Sequence, residues 1–151
     1  MLKIMASGDL FQDDAEILVC PANGEGVAGA GLALEFKKRF KEGFQAYQVW
    51  CKTKTRDVGE FLVVKTPKKT VCYFVTKKYW KDSSDLHGIR VGLDYLTSFL
   101  MRENCKSISF PALGCGLGKL RWSDVKLIME KSFERCKKIQ VNLYYPQSWR
   151  R

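Results

Sequence analysis

A chain of 151 residues, 46% of them hydrophobic, is long enough to bury a core and too apolar for a disordered protein. Its net charge of +10 suits a polyanionic partner such as nucleic acid and a merely solubilising surface equally well. No apolar run approaches the ~20 residues of a membrane span, and the N-terminus has no signal-peptide core. We therefore expect one cytoplasmic, monomeric domain over residues 1–151 that makes no membrane contact.

Periodicity and turn residues predict strands that alternate with helices. In chain order the predicted elements are strands 2–6 and 16–20, a helix from about 31, a helical stretch 44–52, strands 60–65 and 70–76, a helix to about 100, strand 107–110, a helix from 123, strand 139–145 and a tail 146–151. Leu32, Phe36 and Phe40 recur at the spacing of one helix face, and Gly43 is expected to end or kink that helix.

The order of these elements predicts an α/β fold. Pro67 suits a turn that joins the two middle strands as a hairpin, so the central sheet should be mixed and covered by helices on both sides. Ser84 or Asp85 is expected to cap the third helix, and Ser123 the last one. The predicted architecture is a three-layer α/β/α sandwich.

The cysteines and the one histidine argue against a metal centre. None of the six cysteines forms a C-x-x-C pair, and His87 is the only histidine in the chain. A zinc site built from these residue types is not expected, and without a secretion signal neither is a disulfide framework. We predict no metal and no cofactor.

Two glycine-rich segments each lie between a predicted strand and a predicted helix. The first glycine loop comprises residues 23–31, and the second comprises residues 113–118. Glycine lets the backbone approach a ligand closely, and a helix that begins after such a loop offers N–H groups to an anion. Two such loops indicate a ligand with two phosphates, although neither has the P-loop or the dinucleotide-binding pattern.

In four places the chain resembles the macrodomain family. The matching motifs, in family order, are Gly8-Asp9-Leu10-Phe11, residues 23–38, Thr76-Lys77, and residues 111–118 followed by Leu120 and Trp122. They are most similar to the branch that holds terminal ADP-ribose glycohydrolases and the macrodomain antitoxins that remove ADP-ribose from DNA. The resemblance covers residues 2 to about 145. It implies a macrodomain-like sandwich, ADP-ribose as ligand, and hydrolysis of an ADP-ribosyl bond in an antitoxin-like role.

The resemblance also implies which residues contact ADP-ribose. Asp9 would accept a hydrogen bond from the adenine amino group, Leu10 would line the adenine pocket, and Asn23 would contact the distal ribose. The residues implied to complete the ligand site are Val27, Ala28, Gly29, Ala30, Gly31, Pro111, Leu113, Gly114, Cys115, Gly116, Leu117 and Gly118. Taken without the resemblance, Asp9 and Asn23 are also common turn formers.

Lys77 is the candidate catalytic residue. It ends an apolar strand, which places its amine at the carboxyl edge of the sheet, where α/β proteins often bind ligands. From its spacing alone, Lys77 would be an ordinary surface lysine, but the resemblance implies that it is catalytic. It would act either as a nucleophile at C1″, the anomeric carbon of the ribose, or as an acid that protonates the leaving group. Lys78 is the less favoured neighbour because strand alternation turns it elsewhere. Cys115 lacks an evident partner base.

At position 118 the chain differs from some members of this branch. Terminal ADP-ribose glycohydrolases carry an acidic residue where this chain has Gly118, whereas the DNA-directed antitoxins also have glycine there. The departure and the net charge favour ADP-ribose linked to nucleic acid, with single-stranded DNA as a partner, over ADP-ribose on protein glutamate. The rival functions are a phosphatase acting on ADP-ribose 1″-phosphate, a non-catalytic ADP-ribose reader, and a nucleic-acid-binding protein with a vestigial pocket.

Two tryptophans leave alternatives open. Trp80 follows Lys77-Lys78-Tyr79 and precedes Lys81, so its ring either stacks on a base of single-stranded nucleic acid or covers the edge of the core. The ring of Trp122 either packs against the protein or forms part of the wall of the ligand pocket.

Overall fold

The computed structural model describes residues 1–6 and 8–146 as a mixed six-stranded sheet with helices on both faces. In chain order the elements are β1 Leu2–Met5, a 3-10 turn Leu10–Gln12, β2 Ile17–Asn23, α1 Gly31–Arg39, α2 Lys41–Thr53, β3 Phe61–Lys65, β4 Thr70–Lys77, α3 Leu86–Arg102, β5 Ser107–Phe110, α4 Trp122–Ser132 and β6 Gln140–Tyr144. Residues 147–151 of the predicted tail lie outside the described residues.

The strand order is β1-β6-β5-β2-β4-β3. Strand β3 pairs antiparallel with β4 as the predicted hairpin, and the other pairings are parallel. The predicted α/β sandwich with a mixed central sheet is therefore confirmed. Parallel neighbours bring the carboxyl ends of five strands to one edge of the sheet.

Side-chain alternation along the strands builds a core on each face of the sheet. Ile17 and Val19 of β2 face α3 and α4, whereas Leu18 and Cys20 face α1 and α2. All four side chains are at most 6% exposed. A strand buried on both faces needs apolar residues at every position, which explains why the central strands read as continuous hydrophobic runs.

The connection between β1 and β2 crosses the α1–α2 face and is fastened by Asp13. The Asp13 carboxylate accepts hydrogen bonds from the Tyr144 hydroxyl at 2.6 Å, from Asn142 Nδ2 at 3.1 Å and from the Ala15 N–H at 2.8 Å. Burial raises the pKa of Asp13, but these hydrogen bonds outweigh it and hold that pKa below its ordinary value. The 3-10 turn that carries Leu10 is thereby anchored to β6.

Gly43 does not end the first helix, contrary to the sequence prediction. Helix α1 ends at Arg39, Phe40 is its C-cap, and α2 begins at Lys41, so Gly43 lies inside α2. A Cβ atom at position 43 would lie 2.7 Å from the Tyr73 hydroxyl. The glycine allows α2 to pack closely on β4 and is not a helix break.

The predicted helix caps had mixed outcomes. Asp85 caps α3 as expected, because its side chain accepts a hydrogen bond from the Gly88 N–H at 3.2 Å. The prediction for α4 was wrong: the helix begins at Trp122 with Arg121 as its N-cap, and Ser123 lies within the first turn. Arg121 makes no side-chain capping bond and instead pairs with Asp124 at 3.2 Å.

We expect Asp13→Asn to lower the free energy of unfolding at pH 7 by about 1–3 kcal/mol, since it removes a charged acceptor from three hydrogen bonds. The carboxylate contributes fully above its unfolded pKa of about 3.9, and its contribution is lost as pH falls through the lower folded-state pKa. Urea unfolding of both proteins at pH 7 and at about pH 2.5 should therefore show the difference shrinking in acid.

Asp14→Asn is the matched control, because Asp14 is exposed and the charge change is the same. It should alter the free energy of unfolding at pH 7 by less than about 0.5 kcal/mol. A loss for Asp13→Asn that is equal at both pH values would contradict the role given to the carboxylate.

Candidate active site

The segments singled out in the sequence leave the carboxyl edge of the sheet. Strand β2 ends at Asn23 and continues into the first glycine loop, β4 ends at Lys77, and β5 ends at Phe110 ahead of the second glycine loop. Asn23 lies opposite Lys77 in the β2–β4 pairing. The two loops meet, since Leu117 Cδ1 lies 3.7 Å from the position that a Cβ atom on Gly31 would take.

The side chain of Asn23 shapes the first glycine loop. Its Oδ1 accepts hydrogen bonds from the N–H groups of Glu25 and Gly26, both at 3.1 Å, and its Nδ2 donates to the Val27 carbonyl at 2.9 Å. The Tyr47 hydroxyl donates to the same Oδ1 at 3.1 Å. Asn23 is only 8% exposed. Its observed role is to fold the loop, and its contact with a distal ribose stays a prediction.

Tyr47 is a site residue that the sequence reasoning missed. Its ring stacks on Tyr73 with a centroid distance of 5.1 Å, and burial raises the pKa of its hydroxyl, which keeps the group protonated as a donor to Asn23. Helical spacing with Phe44 and Cys51 marks Tyr47 as a buried position of α2. Nothing in the local pattern reveals that its hydroxyl reaches the end of β2.

The first glycine loop is joined directly to the end of β4. The Gly24 N–H donates to the carbonyls of Lys77 at 3.1 Å and Lys78 at 2.9 Å, and its own carbonyl accepts from the Arg56 N–H at 3.0 Å. A Cβ atom on Gly24 would lie 1.9 Å from the Arg56 carbonyl oxygen. Only glycine lets the three segments approach this closely, so the loop and the backbone of Lys77 form one unit.

Lys77 and its neighbour have different surroundings. Lys77 is half-buried as a residue, and its side chain forms no hydrogen bond or ion pair with any residue in 1–6 or 8–146. Lys78 Nζ, in contrast, lies 3.2 Å from Asp57 Oδ1, and its hydrogen bond to that carboxylate raises the pKa of Lys78. The lysine with an uncommitted ammonium at the sheet edge is therefore Lys77.

The second glycine loop packs on Ser84. The Ser84 N–H donates to the Gly118 carbonyl at 3.0 Å, and the Leu120 N–H closes the loop onto the Gly114 carbonyl at 2.8 Å. A Cβ atom on Gly118 would lie 2.1 Å from Ser84 Oγ and 2.6 Å from the Gly114 carbonyl oxygen. No side chain, acidic or otherwise, fits at position 118 unless Ser84 and the loop move. Ser84 was expected only as a possible helix cap.

Cys115 is poorly suited to nucleophilic attack. Burial raises the pKa of its thiol to about 11, so the group is protonated at neutral pH. Its Sγ lies 3.7 Å from the Leu113 carbonyl oxygen. His87 is exposed in the first turn of α3 and makes no hydrogen bond to this thiol in the described part of the chain.

The expected adenine-binding residues begin the 3-10 turn. Asp9 is exposed and caps the turn, with Oδ1 accepting from the Phe11 N–H at 2.9 Å. Leu10 is 3% exposed and belongs to the core under α1 and α2. Most of the surface of Leu10 therefore contacts protein, whereas the carboxylate of Asp9 lies on an exposed residue.

The predicted contact residues fall into three classes by exposure. The exposed ones are Asp9, Val27, Gly29, Ala30, Gly31, Gly116 and Leu117. Cys115 is half-buried, and the buried ones are Leu10, Asn23, Ala28, Pro111, Leu113, Gly114 and Gly118.

Within residues 1–6 and 8–146, no group of three or more His, Cys, Asp and Glu side chains is placed to hold a metal ion. No helix of that same part is long and apolar enough to cross a membrane.

Comparison with known proteins points to one family. The family model of the Macro domain matches residues 19–129. The DNA ADP-ribosyl glycohydrolase of Mycobacterium tuberculosis is 38% identical over 144 residues, which cover 93% of this chain and 41% of that protein. The ADP-ribose glycohydrolase OARD1 of Bos taurus is 30% identical over 138 residues, covering 91% of this chain and 87% of that protein.

Solved structures agree with the sequence comparison. The macrodomain of Mycobacterium tuberculosis DarG matches with a TM-score of 0.92 and 36% identity, covering 97% of this chain and 99% of that chain. Thermosipho africanus DarTG in complex with ADP-ribose matches with a TM-score of 0.90 and 31% identity, covering 97% of this chain and 42% of that chain. The chain spans about two fifths of the length of the first curated relatives it matches.

We expect Gly118→Ala to lower the free energy of unfolding by about 1–3 kcal/mol, because its methyl group overlaps Ser84 Oγ and the Gly114 carbonyl. Gly116→Ala is the matched control in the same loop, since a Cβ atom there meets nothing within 4 Å. It should change the free energy by less than about 0.5 kcal/mol. Urea unfolding of the three proteins measures both values, and equal stability of the two variants would contradict the packing given to Gly118.

Proposed function

This chain belongs to the Macro domain family, and we propose that it is an ADP-ribosyl hydrolase that removes ADP-ribose from nucleic acid, with DNA as the carrier. The observation that carries the proposal is the uncommitted side chain of Lys77 at the carboxyl edge of the sheet, where the backbone of Lys77 is hydrogen-bonded to the first glycine loop. The names of the relatives support this activity, since both the mycobacterial and the bovine protein are called glycohydrolases of ADP-ribose.

The loops supply groups suited to the anionic part of ADP-ribose. Helix α1 begins at Gly31, directly after the first glycine loop, so its first N–H groups and its positive dipole end lie at this edge. The exposed residues Gly29, Gly116 and Leu117 let a ligand approach the backbone of both loops. This arrangement suits a diphosphate held between two backbone segments.

Lys77 would act at the anomeric carbon in one of two ways. A neutral amine would form a bond from Nζ to C1″ as the bond from C1″ to the nucleic acid breaks, the departing group would take a proton, and water would then hydrolyse the imine-type adduct to ADP-ribose and free amine. A protonated amine would instead donate its proton to the departing group while water attacks C1″.

Nucleic acid is favoured over protein glutamate by the second glycine loop. The resemblance places an acidic residue at position 118 in the terminal ADP-ribose glycohydrolases, and here Ser84 Oγ occupies the space that such a side chain needs. The net charge of +10 supports the same choice, because a nucleic-acid-linked substrate carries far more negative charge than free ADP-ribose.

We expect Lys77→Ala to slow ADP-ribose release from an ADP-ribosylated single-stranded oligonucleotide by about 10²–10⁴-fold, because it removes the acid or nucleophile. Lys78→Ala is the matched control and should retain the native rate, since its side chain is paired with Asp57. Release is followed by chromatography, with ADP-ribose binding measured separately. Native-like release by Lys77→Ala would contradict the proposal.

The same assay separates the rival functions. Binding of ADP-ribose without release from any carrier would indicate a reader, and phosphate release from ADP-ribose 1″-phosphate that survives Lys77→Ala would indicate a phosphatase. Parallel assays with ADP-ribose on protein glutamate test the choice of carrier.

We expect cyanoborohydride to distinguish the two roles of Lys77. A nucleophilic amine passes through an imine-type adduct, which this reductant converts, by adding a hydride and a proton, into a stable secondary amine; the protein mass rises by that of ADP-ribose minus one water plus two hydrogens. Mass spectrometry of the reduced peptide that contains residue 77 identifies the adduct. A protein that turns over fully in the reductant without any adduct uses the ammonium as an acid.

A further inference from the structure

We propose that the turn formed by Tyr79, Trp80 and Lys81 is a stacking platform for bases that flank the ADP-ribosylated nucleotide in single-stranded DNA. The inference rests on the proposed function and adds to it a second contact with the substrate, outside the ADP-ribose pocket. We call this turn the aromatic turn.

The two aromatic rings of this turn are exposed. Trp80 is 56% exposed and Tyr79 is 44% exposed, whereas Trp122 is 8% exposed and packs edge-on against Tyr145. Trp80 and Tyr79 belong to neither core of the described residues. Covering the core therefore explains Trp122 but not Trp80. Two adjacent exposed rings leave apolar surface in contact with water, and a partner that stacks on them would bury it favourably.

The aromatic turn is anchored to both glycine loops. On its N-terminal side the Lys78 carbonyl accepts from the Gly24 N–H at 2.9 Å, and on its C-terminal side the Ser84 N–H donates to the Gly118 carbonyl at 3.0 Å. The turn itself is closed by the Asp82 N–H, which donates to the Tyr79 carbonyl at 3.0 Å. These bonds tie the segment that carries the rings to both loops, with the rings two and three residues beyond Lys77.

The charge beside the rings suits a phosphate backbone. Lys81 Nζ lies 5.7 Å from the centroid of the Trp80 ring, and both residues are exposed. Aromatic rings beside basic side chains bind single strands because each base offers a π-face and each linkage offers a negative charge. A single strand that carries ADP-ribose in the pocket would lay its neighbouring bases on this turn.

The test compares two substrates that carry the same modified base. One is a free ADP-ribosyl nucleoside, and the other is a single-stranded oligonucleotide with ADP-ribose on a central base. We expect Trp80→Ala to raise KM for the oligonucleotide about 5- to 150-fold, with a smaller increase for Tyr79→Ala, because base stacking on an aromatic side chain contributes ~1–3 kcal/mol. Turnover of the nucleoside should stay within about twofold of native.

Three further variants test whether the effect of Trp80→Ala comes from base stacking. Trp80→Phe retains a ring and should restore most of the oligonucleotide affinity, and Tyr95→Ala removes an aromatic side chain that is 70% exposed on α3 and should affect neither substrate. Lys81→Ala should lower the slope of log Kd against log salt by about 0.7, the value for one phosphate contact on a single strand. Equal effects of Trp80→Ala on both substrates, or no effect on the oligonucleotide, would overturn the platform.

The platform and the proposed activity can fail separately. If the native protein releases ADP-ribose from no DNA substrate, the proposed function fails, and the platform is then tested by fluorescence anisotropy with an unmodified single-stranded oligonucleotide. Weaker binding by Trp80→Ala than by the native protein and Tyr95→Ala supports the platform. Equal binding by all three proteins overturns it.

Discussion

The hydrogen bonds between Gly24 and the end of β4 are the constraint on which the site depends. Parallel pairing places Asn23 opposite Lys77, and the Gly24 N–H then binds the carbonyls of Lys77 and Lys78. Asn23 folds the rest of the first glycine loop on its own side chain, and Tyr47 supports it from α2. The loop and the candidate catalytic lysine are therefore positioned by one network rather than by two independent elements.

The glycines of the two loops serve two different purposes. Gly24 and Gly118 are closely packed, since a Cβ atom would lie 1.9 Å from the Arg56 carbonyl oxygen and 2.1 Å from Ser84 Oγ, respectively. Gly29 and Gly116 face open space, with nothing within 4 Å of such an atom. The first pair holds the neighbouring segments together, and the second pair leaves backbone accessible at the surface. A glycine-rich motif thus combines structural positions with positions suited to a ligand.

Packing at the second loop also limits the chemistry available there. Since Ser84 fills the space beside Gly118, a carboxylate at that position does not fit unless Ser84 and the loop move, and Lys77 is the candidate that supplies the chemistry. A mechanism that uses Lys77 alone has two forms. The lysine either gives a proton to the departing group or forms a transient covalent bond with C1″. The basic surface then contributes through attraction of the substrate, which is a long-range effect that depends on salt.

The sequence by itself determined the order of strands and helices, the hairpin within a mixed sheet, and the family. These depend on side-chain periodicity, turn residues and motifs, which are local and can be read along the chain. Only the tertiary structure decided that Gly43 lies inside a helix, that Arg121 rather than Ser123 caps α4, and that Tyr47 and Ser84 support the loops. The roles of Gly43, Tyr47 and Ser84 depend on contacts between distant segments, such as Gly43 with Tyr73 or Ser84 with Gly118. The physical reason is that steric fit and hydrogen-bond partners across the fold leave no periodic signal in the segment that carries them.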